Sequence, residues 1–207
     1  MMRRIPPKQR REELIAAAIR VIAREGVAAA TTRAIVAEAG MPLGAFSYIF
    51  GTRDELMHAV IETITEHERF AAEAGSIDAS SIETAILSGL NAYIDLLVAD
   101  PQRELASLEL GLFAARHSAD GQMRTQWETY VVNGVQLLQY AAQLTGTSWT
   151  ISVAELARSL VALLDGITLA WLADRDTDAA RRTASFAAAA LTAYNRPAAQ
   201  RTEHDAH

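Results

Sequence analysis

TTRAIVAEAGMPLGAFSYIFGTRDEL, residues 31–56, holds three glycines and a proline between two patterns that read as helix. The stretch is too short to be a domain and too apolar to be a plain linker. Thr31 or Thr32 can cap the free N–H groups of a helix over residues 32–39, and Gly40 is placed to stop it. A second, very short helix is predicted over residues 42–48, with Pro42 at its first position, where a missing N–H costs nothing. Thr52 and Glu55 then form a T-x-x-E capping box ahead of the apolar series Leu56, Val60, Ile61, Ile64. A longer helix is therefore expected to start at Arg53 and to run to about residue 74.

Outward from this stretch, almost everything reads as helix. Upstream, Leu14, Ala18, Val21 and Ile22 recur at helical spacing over residues 8–25, and Gly26 closes the series. Downstream, helices are expected over residues 80–99, 102–117, 121–144, 152–173 and 179–194, with a loop at 145–150 and a turn at 174–178. The fold class is all-α, with about nine helices. The expected domains are residues 1–52, residues 53–195 and a disordered tail, 196–207.

The charge is uneven. The chain of 207 residues carries a net charge of −6, yet residues 1–56 hold nine basic and six acidic side chains. Arg3, Arg4, Lys8, Arg10 and Arg11 come before the first acid. A basic head on an acidic body suits a polyanion partner for the head alone, or serves as a solubilising tail. The chain has no cysteine, which excludes disulfides and thiolate metal sites and fits a reducing, cytoplasmic setting. No unbroken run of about eighteen apolar residues occurs, and the basic start lacks the apolar core of a signal peptide, so no membrane partner is expected.

Two short helices joined by a glycine turn and braced by a longer one make a helix-turn-helix, although such pairs also occur as plain packing units. In the DNA-binding form the second helix enters the major groove. The candidate DNA-binding residues are Thr31, Thr32, Arg33, Pro42, Leu43, Gly44, Ala45, Ser47, Tyr48 and Arg53. Gly44 and Ala45 let backbone approach the groove floor. Thr, Tyr and Arg side chains suit the phosphate wall, to which most protein–DNA hydrogen bonds go.

Residues 9–60 resemble the N-terminal domain of the tetracycline-repressor (TetR) family. The resemblance rests on Gly26, the pair Thr31-Thr32, the run Ala37-Glu38-Ala39-Gly40, then Gly44, Tyr48, Phe50, Arg53 and Leu56, in that order and spacing. Departures are Pro42 where the family often has serine, Leu43 where a polar residue is usual, and Ser47 at an aromatic place. Leu43 suits a thymine methyl better than a hydrogen bond. Arg53 replaces a common lysine and keeps the charge expected at a phosphate.

What the resemblance implies is a transcriptional regulator, a repressor released from a palindromic operator by a small ligand. A ligand-activated DNA binder is the alternative. It further implies a homodimer through helices 152–173 and 179–194, and a ligand pocket in the C-terminal domain. From the residues, the helix over 152–173 is apolar on more than one face and must be buried in a core or against a partner. Candidate pocket residues are Tyr93, Leu97, Leu105, Glu109, Phe113, Trp127, Tyr130, Asn133 and Trp171, apolar walls with a few polar groups. Each aromatic is equally readable as core, and Glu109 as an exposed helix residue.

The rival reading is a helical-bundle metalloenzyme, which needs two Glu-x-x-His pairs and further inward carboxylates. Only Glu55-Leu56-Met57-His58 matches, and Glu55 is explained by the capping box. No catalytic residue, metal ligand or cofactor is assigned.

Overall fold

The computed structural model describes residues 6–74, 79–117 and 122–198. Among them are nine α-helices: α1 (Pro7–Glu25), α2 (Thr32–Glu38), α3 (Leu43–Ile49), α4 (Arg53–Ala74), α5 (Ile82–Ala99), α6 (Pro101–His117), α7 (Gln122–Leu144), α8 (Val153–Asp174) and α9 (Thr177–Thr192). A short 3₁₀ turn, Val27–Ala29, links α1 to α2. The expected all-α class holds. Arg3 and Arg4 lie outside the described residues, as do the tail residues 199–207.

The chain forms two compact units. The first joins Met1–Ala71 to Asp95–Glu128. Its core is one apolar cluster: Leu14, Ala18 and Ile22 of α1, Ile35 and Val36 of α2, Phe46 of α3, Leu56, Val60 and Ile64 of α4, and Ala106 and Leu110 of α6. The expected boundary after residue 52 separates the helix-turn-helix from the rest by role. By packing, the unit reaches further, because neither α1 nor the short α2 and α3 can cover its apolar face alone.

The second unit joins Ala72–Ile94 to Thr129–His207. Here α8 packs along α9, burying Leu156, Leu160, Val161, Ile167 and Trp171 on one helix and Ala180, Ala184, Ala187, Ala188 and Leu191 on the other. Small residues on α9 let the two backbones approach. At Gly134 of α7 a Cβ would lie 3.2 Å from that of Ala157 on α8, so this close approach also depends on a missing side chain. By length and composition α5 and α8 could cross a membrane. On α8, Leu156, Leu160, Val161, Ile167 and Trp171 are buried, while Arg158, Asp165 and the apolar Leu169 face outward.

Two expectations need correction. The loop at 145–150 contains a strand, β1 (Thr147–Trp149), and the tail expected from residue 196 begins inside another, β2 (Asn195–Pro197). They pair antiparallel, with Ser148 opposite Arg196. The Ala198 N–H adds a bond to the Gly146 carbonyl at 3.1 Å, and the Trp149 indole N–H donates to the Leu138 carbonyl at 3.1 Å. Three-residue strands have no alternating pattern to read, and their bonding partners are nearly fifty residues apart.

Candidate functional site

The helix-turn-helix is built from local rules. Thr31 has extended backbone, and its hydroxyl accepts from the Ala34 N–H at 3.2 Å, so it is the N-cap of α2. At the other end Gly40 has φ +63°. That left-handed turn lets the Met41 N–H reach the Val36 carbonyl (2.8 Å) and the Gly40 N–H reach that of Ala37 (3.1 Å). Pro42, expected as the first residue of α3, stands one position before it. Its backbone is extended (ψ 151°), and its carbonyl accepts the Ala45 N–H.

Along the seven residues of α3, Phe46 is buried (4% exposed) and Ile49 packs against the same core. Phe50, one step beyond, is also buried, with the Arg11 guanidinium 5.4 Å from its ring centre. The opposite face presents Leu43 (49% exposed), Gly44, Ser47 and Tyr48 (70% exposed). On α2 and its cap, Thr31 and Arg33 are exposed and Thr32 is half-buried; Ala45 of α3 is half-buried too. The helix pair therefore anchors through its phenylalanines and turns small, hydroxyl and apolar groups to solvent.

Charged groups fix α2 on α1. Arg20 donates to Glu38 at 2.7 Å and Arg24 donates to its second oxygen at 3.1 Å. These guanidinium hydrogen bonds hold the Glu38 carboxyl below its ordinary pKa.

Arg53 is engaged within the protein. Expected at the phosphate wall, it is half-buried and donates to the carbonyls of Ala30 (2.9 Å) and Val27 (2.7 Å). Those carbonyls belong to the short link between α1 and α2; the Val27 carbonyl also accepts the Ala30 N–H at 3.2 Å, and the guanidinium reaches both carbonyls from α4. Glu55 behaves as a cap with a shifted target. The Thr52 hydroxyl accepts the Glu55 N–H at 3.2 Å, while the Glu55 carboxylate accepts the N–H of Gly51 rather than of Thr52. That carboxylate is thus engaged at a helix start.

The expected pocket residues scatter among several roles. In the first unit Leu97 is fully buried, Leu105 is exposed, and Phe113 packs on the helix-turn-helix core. Glu109 is half-buried, and its carboxylate sits 3.7 Å from where a Cβ on Gly26 would be, at the end of α1. Trp127 is half-buried. In the second unit Tyr130 and Asn133 are half-buried, and the Tyr93 hydroxyl bonds that of Thr168 at 2.5 Å. Trp171 closes the α8–α9 corner. Its indole N–H donates to Thr177 at 3.0 Å, and Arg175, in the left-handed region at φ 60°, lies over its ring.

One group was missed. Glu104 of α6 is 3% exposed, and Ser107, one turn on, is also buried. In sequence Glu104 looks like an ordinary acid in the first turn after Pro101, favoured there by the helix dipole. Its burial depends on what packs against α6, which the chain's local pattern does not show.

Comparison with known proteins agrees with this geometry. The family model described as bacterial regulatory proteins, tetR family, matches residues 14–60. The HTH-type nicotine-responsive transcriptional repressor HdnoR of Paenarthrobacter nicotinovorans is 34% identical over 175 residues, which span 83% of this chain and 88% of that protein. The multidrug binding protein EbrR, whose crystal structure is in complex with malachite green, is 29% identical, with a TM-score of 0.64 over 86% of this chain and 98% of its own. A TetR-family member from Streptomyces coelicolor A3 is 28% identical, with a TM-score of 0.68 over the same shares. Sequence kinship over most of the chain, a shared fold and a helix-turn-helix built to these rules lead to one conclusion: this protein belongs to the tetR family of bacterial regulatory proteins.

Proposed function

We propose that this regulator is a repressor: a homodimer that seats α3 in the major groove of a two-fold symmetric operator and lets go when a small organic cation or nitrogen base binds. The observation that carries DNA reading is the division of α3 into a buried face, Phe46, and an outward face, Leu43, Gly44, Ser47 and Tyr48. Arg33, Thr31 and Tyr48 take the phosphates and Thr32, Pro42 and Ala45 shape the approach, as the sequence suggests. Dimerisation fits the outer sides of α8 and α9, where Leu169 and Phe186 (69% exposed) stand among exposed alanines and Gly166. A paired copy would cover them as a four-helix bundle and set two recognition helices about one DNA turn apart. Such a regulator works in the cytoplasm, beside its DNA.

The ligand class is supported by two facts. A buried carboxyl, Glu104, lies on α6 with Ser107 beside it. The related proteins respond to nicotine or were crystallised with malachite green, ethidium or imidazole, which are organic cations or protonatable nitrogen bases. A buried carboxylate favours a cation strongly because water screens the pair little. Glu104, Ser107 and Trp127 are the residues we assign to the ligand. Because Ala106 and Leu110 of the same helix belong to the helix-turn-helix core, ligand seated on α6 pushes on α1 and the link after it.

Titration of the protein with nicotine and with malachite green, followed by tryptophan emission and by release of a duplex from its own upstream region, tests this reading. At least one of the two compounds should bind and release the duplex. Glu104→Gln should weaken binding about ten- to a hundredfold while duplex affinity stays. Indifference of ligand affinity to that substitution would remove Glu104 from the site. Failure of both compounds to bind would refute the ligand class.

A further inference from the structure

We infer that the base recognised beneath α3 is thymine, held through its C5-methyl group by the side chain of Leu43. The inference rests on the proposed operator binding and specifies its chemistry. Guanine is singled out in the major groove by paired donors from Arg or Lys, adenine by Asn or Gln, and cytosine by Glu or Asp. The seven residues of α3, LGAFSYI, contain none of these six residue types. Two hydroxyls, on Ser47 and Tyr48, face outward with Leu43 and Gly44. A hydroxyl both donates and accepts, so it bonds base edges or phosphates without telling one base from another.

What remains is apolar recognition, and one feature of the major groove answers to it: the thymine methyl. Four apolar side chains of α3 other than Leu43 are accounted for. Phe46 is buried, Ile49 packs on the core, Ala45 is half-buried, and Tyr48 projects its hydroxyl. Leu43 stands half-exposed with Gly44 beside it, and nothing lies within 4 Å of the place where a Cβ on Gly44 would be. The pair forms an apolar knob next to a flat step, which lets the knob reach a methyl on the groove floor. An amide or a cation at residue 43 would hydrogen-bond; a leucine gains only by covering carbon.

The test removes one methyl and nothing else. An operator is selected from random duplex DNA with the full-length protein. Each thymine of the half-site is then replaced in turn by deoxyuridine, on both halves, at one fixed salt concentration. For the wild-type protein, one thymine position should show a loss of roughly fourfold per half-site, the worth of one buried methyl. Leu43→Ala should bind the unmodified operator more weakly and lose nothing further on the same replacement. Since Leu43 is exposed, the variant should fold normally, which circular dichroism checks. A selected site with no deoxyuridine-sensitive thymine overturns the inference and leaves operator binding standing. So does a Leu43→Ala protein that loses the same factor as the wild type. Failure to select any site would overturn both the inference and the reading beneath it.

Discussion

At the residue scale, Gly40 and Gly44 do different jobs. Gly40 has φ +63° and open space around it, so Gly40→Ala suffers only the left-handed backbone cost, about 1–2 kcal/mol. Gly44 is helical and equally open, so Gly44→Ala should raise thermal stability, by about 0.5–1 kcal/mol, while weakening DNA binding. A melting curve beside a binding isotherm separates the two; unchanged DNA affinity in Gly44→Ala would mean the step beside Leu43 is not used. Arg53 offers a second contrast. A phosphate-contacting arginine, once removed, flattens the dependence of affinity on salt by about one unit of slope. Because Arg53 is engaged with the carbonyls of Val27 and Ala30, Arg53→Ala should lower stability and affinity with the salt slope unchanged.

Elements show what the sequence could and could not convey. The limits of α4, Arg53 and Ala74, follow from a capping signal and an apolar series, and both are visible in the chain. The turn at Gly40 is equally legible, since few other residues take that conformation. The bonds of Arg53 were not, because its two partners lie more than twenty residues away and offer backbone carbonyls, which every residue has. Glu104 was hidden for a related reason: periodicity cannot say which side of α6 a neighbouring helix will cover. The Trp171 bond to Thr177 was not legible either, because an indole in an apolar helix reads the same whether it lines a cavity or closes a corner.

The α1–α2 clamp belongs to this scale too, and it has a pH signature. Glu38 is held below its ordinary pKa of 4.5 by Arg20 and Arg24. A carboxyl depressed on folding adds stability above its unfolded pKa and loses it as pH falls through the folded value. The clamp should therefore weaken in acid, below about pH 4.5, and be intact at neutral pH. In Glu38→Gln the acid limb of a melting-temperature profile should be shallower than in the wild type. High salt should shrink the difference, since the side chains are partly exposed. Identical acid limbs would show that the clamp contributes nothing to stability.

For the whole molecule, the family's division of labour acquires a physical form. The helix that carries Glu104 and Ser107, α6, shares an apolar core with α3, which presents Leu43 and Tyr48. The Arg53 bonds to Val27 and Ala30 hold the link between α1 and α2, and the Glu109 carboxylate lies near Gly26 at its start. A basic head, an acidic body and apolar outer sides on α8 and α9 complete a chain suited to gripping DNA as a pair.

The most direct measurement is selection from a random duplex pool with the purified protein, followed by sequencing of the bound fraction. The account predicts a two-fold symmetric site whose halves are about ten base pairs apart, or a multiple of that, centre to centre. Recovery of the pool unchanged, with no sequence favoured over any other, would contradict it.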